Sequence, residues 1–79
     1  MIKDNTVRNR FAVNLSELRR KKKITQSTMA VMLGISVGAY RHFENGRNEP
    51  NYATLSEIVR ILDTDFNYIL GYSYLKNTK

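Results

Sequence analysis

The apolar side chains in the first third of the chain recur at the spacing of an α-helix. Phe11, Leu15 and Leu18 stand at i, i+4 and i+7, which places them on one helical face. Thr6 precedes this segment and is a residue type that caps helix N-termini. The pattern therefore predicts a first helix that begins after Thr6 and ends near the lysine run at residues 21–23.

Two shorter helical segments follow, each bounded by a capping residue and a glycine. Thr25 begins the first of them and Gly34 ends it; Ser36 begins the next, which is predicted over residues 37–45 and closed by Gly46. A glycine just past the last periodic residue is typical of a helix end, because it adopts positive φ without a Cβ penalty.

The last third of the chain predicts two more helices. Asn51 caps the fourth, Asp65 caps a short fifth, and Gly71 ends it. The apolar residues predicted to face inward are Leu55, Ile58, Val59, Ile61, Leu62, Phe66, Ile69 and Leu70. The predicted fold class is all-α, with five helices in a single domain over residues 1–79. Its core covers about residues 6–71, with a short N-terminal extension and a C-terminal tail.

The second and third predicted helices are joined by a turn too short for an ordinary antiparallel pair. A sharp helix-turn-helix crossing fits this connection, since its turn of about 3–4 residues often contains glycine. Ala30 supplies the small residue that a close crossing needs, and Gly34 supplies the turn. Tyr40 and Phe43 supply large apolar side chains on the second helix of the pair.

The third predicted helix has one apolar arc and one polar or small arc. Gly38, Arg41, His42 and Asn45 share the second arc. A helix that presents such residues outward beside basic neighbours can enter the major groove of DNA. An ordinary solvated face of an amphipathic helix explains the same pattern, and the helical wheel leaves both interpretations open.

The amino-acid composition favours one class of partner and excludes some kinds of binding site. The 79 residues carry 13 Lys and Arg against 7 Asp and Glu, a net charge of +6, and eight of these cations lie in residues 1–23. This excess favours a polyanionic partner, nucleic acid before an anionic membrane surface. The absence of Cys excludes disulfides and Cys-based zinc sites, and a single histidine cannot make a two-His metal site.

No motif for catalysis, membrane insertion or secretion is present in the sequence. It has no paired acid and base and no phosphate-cradling glycine loop, so we expect no enzyme activity, no cofactor and no small-molecule substrate. It also has no apolar run of about 20 residues and no signal-peptide core, so we expect a cytoplasmic protein.

From Leu15 to Gly71 the sequence resembles the Cro/CI-type (Xre-like) helix-turn-helix DNA-binding domain of phage and bacterial repressors. The residues that carry the resemblance are Leu18, Arg19, Ile24, Thr25, Gln26, Ala30, Gly34, Ser36, the run from Tyr40 to Gly46, Pro50, Leu55, Ile58, Leu62 and the run from Ile69 to Gly71. The resemblance implies a compact five-helix, lambda-repressor-like domain whose second and third helices form the helix-turn-helix.

The resemblance also implies roles for individual residues in DNA binding. Gln26 matches a glutamine that bonds a backbone phosphate, and Thr25 and Lys23 lie beside it. The positions that face base edges are Ser36, Val37, Gly38 and His42, with Arg41 on the same arc, and those that match the phosphate-contacting turn are Asn45, Arg47 and Asn48.

Some residues depart from the family pattern or carry a structural role. Val37 and Gly38 cannot make the bidentate hydrogen bonds that discriminate bases, so we expect base recognition to rest on Arg41 and His42, with DNA shape adding to it. Arg19 and Glu44 match a partly buried ion pair between the first and third helices, so both are expected to be structural.

The other cations of the first predicted helix are either a phosphate-contacting flank or a solvated face; they are Arg8, Arg10, Lys21 and Lys22. Tyr68, Tyr72 and Tyr74 are either core and frayed tail or part of a dimer patch with Leu75, and both readings stay open.

These observations predict a sequence-specific regulator of transcription that acts as a repressor and binds a double-stranded operator as a homodimer. A single helix reads few base pairs, and two half-sites one helical turn apart suit a two-fold protein. We expect the dimer contacts in the fifth helix, the tail or the N-terminal extension, because the length leaves no separate dimerisation domain. The alternative is an antitoxin or antirepressor that uses the same fold to bind a protein.

Overall fold

Five helices build the domain in a computed structural model that describes residues 6–72. Within this range the structure contains no strand, so the predicted all-α class is confirmed. The helices are α1 (Val7–Lys21), α2 (Gln26–Leu33), α3 (Val37–Glu44), α4 (Tyr52–Ile61) and α5 (Phe66–Ile69). The N-terminal extension at residues 1–5 and the tail at residues 73–79, where part of the dimer contact was predicted, lie outside the described residues.

All five helices begin at the predicted capping residues, because each cap satisfies a free backbone amide of the first turn. The side chain of each of these residues accepts a hydrogen bond from the amide three positions later; the caps are Thr6, Thr25, Ser36, Asn51 and Asp65. The predicted end of α3 was one residue too long, since the helix closes at Glu44 and Asn45 is its C-cap.

Two helices end without a glycine, and a non-glycine residue after each of them adopts the left-handed backbone conformation. Gly34 closes α2 at φ 70°, as predicted, but Lys23 follows α1 at φ 59° and Asp63 follows α4 at φ 55°. The backbone after α4 still closes in the manner of a glycine stop, because the Asp63 amide bonds Arg60 O and the Thr64 amide bonds Val59 O. The two side chains carry a conformational cost that glycine would avoid.

The core lies where the inward faces of all five helices meet. Its members are Phe11, Leu15, Met29, Ala30, Tyr40, Phe43, Leu55, Ile58, Leu62 and Ile69. Helices α2 and α3 pack on each other, and α1 packs on α3 and α5. The packing of α2 on α3 determines which face of α3 points outward. Tyr40 of α3 is fully buried, so the opposite face of that helix is the one at the surface.

Two side chains of α1 hold α5 by its backbone. Arg10 Nε donates to Leu70 O at 3.1 Å, and Asn14 Nδ2 donates to the carbonyls of Tyr68 and Ile69 at 3.1 and 3.2 Å. The guanidinium of Arg10 also lies 4.8 Å from the ring centre of Tyr72. Arg10 is therefore a structural residue here, and the sequence-based choice between a phosphate contact and a solvated charge missed this role.

Candidate nucleic-acid interface

The outward surface of α3 carries the polar residues that the sequence places there. Gly38, Arg41, His42 and Asn45 are all exposed, as the predicted polar arc requires. Val37 is half-buried and packs against the core, so only part of its side chain can reach a ligand. The opposite face is closed by Tyr40 and Phe43, whose rings meet edge to face at 6.3 Å.

The predicted contact residues at the helix starts already have structural partners. Ser36 Oγ accepts from the Ala39 amide at 3.0 Å, and Thr25 Oγ1 accepts from the Thr28 amide at 3.0 Å. The hydroxyl of Thr25 also donates to that of Thr28 at 3.0 Å. Both residues are exposed, and their side chains are held at fixed positions on the two helix N-termini.

Arg19 and Glu44 form a bidentate ion pair between α1 and α3. Arg19 Nε lies 2.6 Å from Glu44 Oε2, and Nη2 donates to Oε1 at 3.2 Å. The third guanidinium nitrogen, Nη1, donates to Ile24 O at 2.8 Å. The two side chains are only 11% and 6% exposed, so the pair is shielded from solvent.

Glu44 receives two further hydrogen bonds. Tyr40 donates its hydroxyl to Oε2 at 2.5 Å, and Gln26 Nε2 donates to Oε1 at 3.0 Å. Burial alone would raise the pKa of Glu44, but the hydrogen bonds from Arg19, Tyr40 and Gln26 outweigh it and lower that pKa from its ordinary 4.5. Burial is the main cause of the raised pKa of Tyr40, so this hydroxyl stays protonated. The hydrogen bond to Glu44 likewise raises the pKa of Arg19.

Gln26 links this buried cluster to the surface of α3. Its amide nitrogen is bound to Glu44, and its Oε1 accepts from Arg41 Nε at 3.2 Å. The family resemblance implied a phosphate contact for Gln26, and the helical pattern placed Arg41 on the outward arc of α3. Neither gave a sign that the two side chains meet. The hydroxyl of Tyr40 was also missed as a partner of Glu44, although their i, i+4 spacing on one helix would have signalled it.

The turn after α3 is fixed by backbone hydrogen bonds. The amides of Arg47 and Asn48 both donate to His42 O, at 3.0 and 3.2 Å, and Asn45 Oδ1 accepts from the Arg47 amide at 3.1 Å. The side chains of Arg47 and Asn48 are exposed. At the end of this turn Glu49 pairs with Arg8 at 3.1 Å, which neutralises the carboxylate closest in sequence to them.

The segments that form α2, α3 and the adjoining turns carry exposed cations that form no ion pair within residues 6–72. Arg41 and Arg47 are exposed, and so is Lys23, which leads into α2. The one carboxylate between Ser36 and Asn48, that of Glu44, is buried against Arg19. Arg8 and Arg19 are paired within the fold, so two of the eight cations in residues 1–23 already have a counter-charge.

Two absences can be stated for the part of the chain that the structure covers. No helix within residues 6–72 is long and apolar enough to cross a membrane. The same residues contain no cluster of three or more His, Cys, Asp or Glu side chains that could hold a metal ion.

The sequence is similar to known regulators. A family described as Helix-turn-helix (HTH_3) matches residues 15–69. The uncharacterized HTH-type transcriptional regulator YqaE of Bacillus subtilis is 47% identical over 60 residues, which cover 76% of this chain and 52% of that protein. The HTH-type transcriptional regulator AnsR of the same organism is 33% identical over 64 residues, covering 81% of this chain and 55% of that protein. The chain spans about half the length of these curated relatives.

Solved structures share the fold. The clp gene regulator ClgR of Corynebacterium glutamicum superposes with a TM-score of 0.77 at 21% identity, covering 89% of this chain and 90% of that chain. An HTH_3 family transcriptional regulator of Vibrio cholerae superposes with a TM-score of 0.74 at 23% identity, covering 94% of this chain and 42% of that chain. At these identities the likeness concerns the fold alone.

Proposed function

The chain belongs to the helix-turn-helix family HTH_3, a family of DNA-binding transcriptional regulators and not of enzymes, and from that premise we propose that it binds a double-stranded DNA operator through α3. In this proposal α3 enters the major groove and α2 lies across the groove edge. The protein acts in the cytoplasm as a repressor, by occupying the operator and excluding RNA polymerase.

One observation carries the proposal: α3 presents Arg41 and His42 outward, while the side chain of Glu44, the one carboxylate between Ser36 and Asn48, is buried. A duplex carries a phosphate charge about every 1.7 Å of its axis, so it repels an unpaired carboxylate on a surface that approaches it. The Arg19–Glu44 pair meets this condition by turning the Glu44 carboxylate inward, at 6% exposure.

The interface residues divide by their place on the fold. Those on the α2 side, proposed to contact backbone phosphate, are Lys23, Thr25 and Gln26, and those beyond the end of α3 are Asn45, Arg47 and Asn48. Ser36, Val37, Gly38 and His42 lie between these two groups and are proposed to face the base edges, with Arg41 on the same surface.

The proposed assembly on DNA is a homodimer. Two copies of α3 would enter successive major grooves about 34 Å apart, which doubles the number of base pairs that are read. Among the described residues, α5 contributes half-exposed apolar side chains, with Phe66 at 45% and Tyr68 at 39%. The dimer is testable by the mass of the complex, since it requires two chains for each duplex.

Binding to mixed-sequence duplex DNA at increasing salt tests the electrostatic part of the proposal. Fluorescence anisotropy of a labelled duplex gives the dissociation constant at each salt concentration. Each neutralised phosphate contributes about −0.9 to the slope of log K against log salt, so an interface with several phosphate contacts predicts a steep loss of affinity. A matched variant, Arg60→Ala, removes a cation of α4 outside the proposed interface and should leave the slope unchanged.

A protein partner is the second candidate function, as in an antitoxin or antirepressor. It is favoured by two exposed apolar side chains on α2, Val31 at 78% and Met32 at 49% exposure. The absence of measurable binding to duplex DNA at low salt would contradict the operator proposal and support this candidate.

A further inference from the structure

Arg41 is tied to the first residue of α2. Its Nε lies 3.2 Å from Gln26 Oε1, across a separation of 15 residues in the sequence. Among residues 6–72, Gln26 is its hydrogen-bond partner, and the side chain is exposed. The bond uses one of about five guanidinium N–H donors, so the two terminal nitrogens are left for a ligand.

Gln26 is oriented by Glu44, because its amide nitrogen donates to that carboxylate. Gln26 Nε2 donates to Glu44 Oε1 at 3.0 Å, which directs Oε1 towards Arg41. Glu44 is itself held by Arg19 and Tyr40 at 2.6 and 2.5 Å. A continuous series of hydrogen bonds therefore runs from the ion pair between α1 and α3 to the guanidinium on the surface.

This restraint favours one part of a duplex as the ligand of Arg41. A base-reading arginine places two parallel N–H groups on the O6 and N7 atoms of a guanine and so must extend away from its own helix into the groove. Arg41 instead lies against the N-terminal residue of α2, the helix that the proposed docking sets along the groove edge. The ligand at the edge is phosphate, which accepts two parallel N–H groups equally well.

We infer that Arg41 binds a backbone phosphate and is positioned for it by Gln26, so that base discrimination falls to His42 and its small neighbours. This inference rests on the proposed function. It changes the role expected from the sequence, which assigned Arg41 to base recognition together with His42. Gln26 keeps a second amide N–H that can donate to the same phosphate, so the two residues act as one contact.

Site selection from random duplex DNA, followed by affinity measurements, tests this inference on the full chain. Arg41→Ala is expected to recover the same consensus as the wild type, whereas His42→Ala recovers one that is relaxed at a base position. Arg41→Ala should weaken binding to the consensus and to a scrambled duplex by the same factor, about tenfold. The negative slope of log K against log salt should become shallower by about 1, because one phosphate contact is lost.

Two further variants test the link to Gln26. Arg41→Lys keeps the charge but loses the planar donor pair, so it should keep the salt slope and bind with intermediate affinity. The double variant Gln26→Ala/Arg41→Ala should lose less affinity than the product of the two single losses, because the residues serve one contact. Thermal melts of each variant establish that it is folded, and Arg60→Ala is the charge-matched control.

Three results would each contradict a different part of the account. If the wild type selects a consensus and Arg41→Ala changes the preferred base at one position, this inference is wrong and the proposed function stands. If the loss of affinity in the double variant equals the product of the losses in Gln26→Ala and Arg41→Ala, the two residues do not act as one contact. If the wild type selects no sequence at all, the proposed function fails, and the inference fails with it.

Discussion

Replacing Glu44 by alanine removes the acceptor on which four hydrogen bonds converge. Two of them come from Arg19, one from Tyr40 and one from Gln26. The variant leaves the Arg19 guanidinium, whose side chain is 11% exposed, without its counter-charge. It also leaves the buried hydroxyl of Tyr40 without an acceptor.

The expected loss of unfolding free energy is about 3 kcal/mol. Breaking a buried ion pair by removing one partner costs about 3–5 kcal/mol, and the lower end applies because Arg19 keeps its bond to Ile24 O at 2.8 Å. In a domain of this size each kcal/mol shifts the midpoint of thermal unfolding by about 4–8 °C. Glu44→Ala should therefore melt about 12–24 °C below the wild type.

Urea and thermal unfolding, followed by circular dichroism, measure this loss. The matched control is Glu49→Ala, which breaks an ion pair with Arg8 at the surface, where the side chains are 47% and 62% exposed. Exposed pairs contribute about 0.2–1 kcal/mol, so the control should remain close to the wild type. Loss of less than about 1 kcal/mol in Glu44→Ala would refute the claim that the buried pair holds α1 to α3.

The remaining predictions concern stability and are measured by the same unfolding experiments. The pKa of Glu44 lies below its ordinary 4.5, so the stability it contributes is complete above that value and is lost as the pH falls through the lower folded pKa. Glu44→Gln should weaken this acid dependence, and an unchanged dependence would contradict the assignment. Asp63→Gly should stabilise the protein by up to about 1 kcal/mol, because residue 63 has φ 55°. Asp63→Ala removes the same charge but keeps a Cβ at residue 63, so an equal gain there would attribute the effect to charge. Gly38→Ala should stabilise α3 by up to about 1 kcal/mol, because the new Cβ meets no atom closer than Ser36 Oγ at 4.0 Å. A destabilised Gly38→Ala variant would show that the backbone there needs glycine.

Local chemistry made the helices predictable from the sequence. A capping side chain acts within three residues of itself, so Thr6, Thr25, Ser36, Asn51 and Asp65 could be recognised without knowledge of the fold. The ends of helices were harder where no glycine marks them. Lys23 and Asp63 adopt the left-handed conformation that the sequence signals only through glycine or asparagine.

Contacts between distant segments could not be read in the same way. Arg10 holds Leu70 O across 60 residues, and Arg41 meets Gln26 across 15, because the packing of the helices brings them together. The Arg19–Glu44 pair was predicted from the family resemblance, because the separation of the two residues along the sequence gives no sign of a contact. Charge counting also overstated the free cations of α1, since Arg8 is paired with Glu49 in the folded chain.

Selection of bound sites from a random pool of double-stranded DNA tests the central claim most directly. The account predicts recovery of one consensus with two-fold symmetry, whose half-sites are centred about one helical turn, or about 34 Å, apart. The wild-type chain should bind this consensus more tightly than a scrambled duplex at the same salt concentration. Recovery of a pool with no sequence enrichment, from a chain that is folded by its melting curve, would contradict the account.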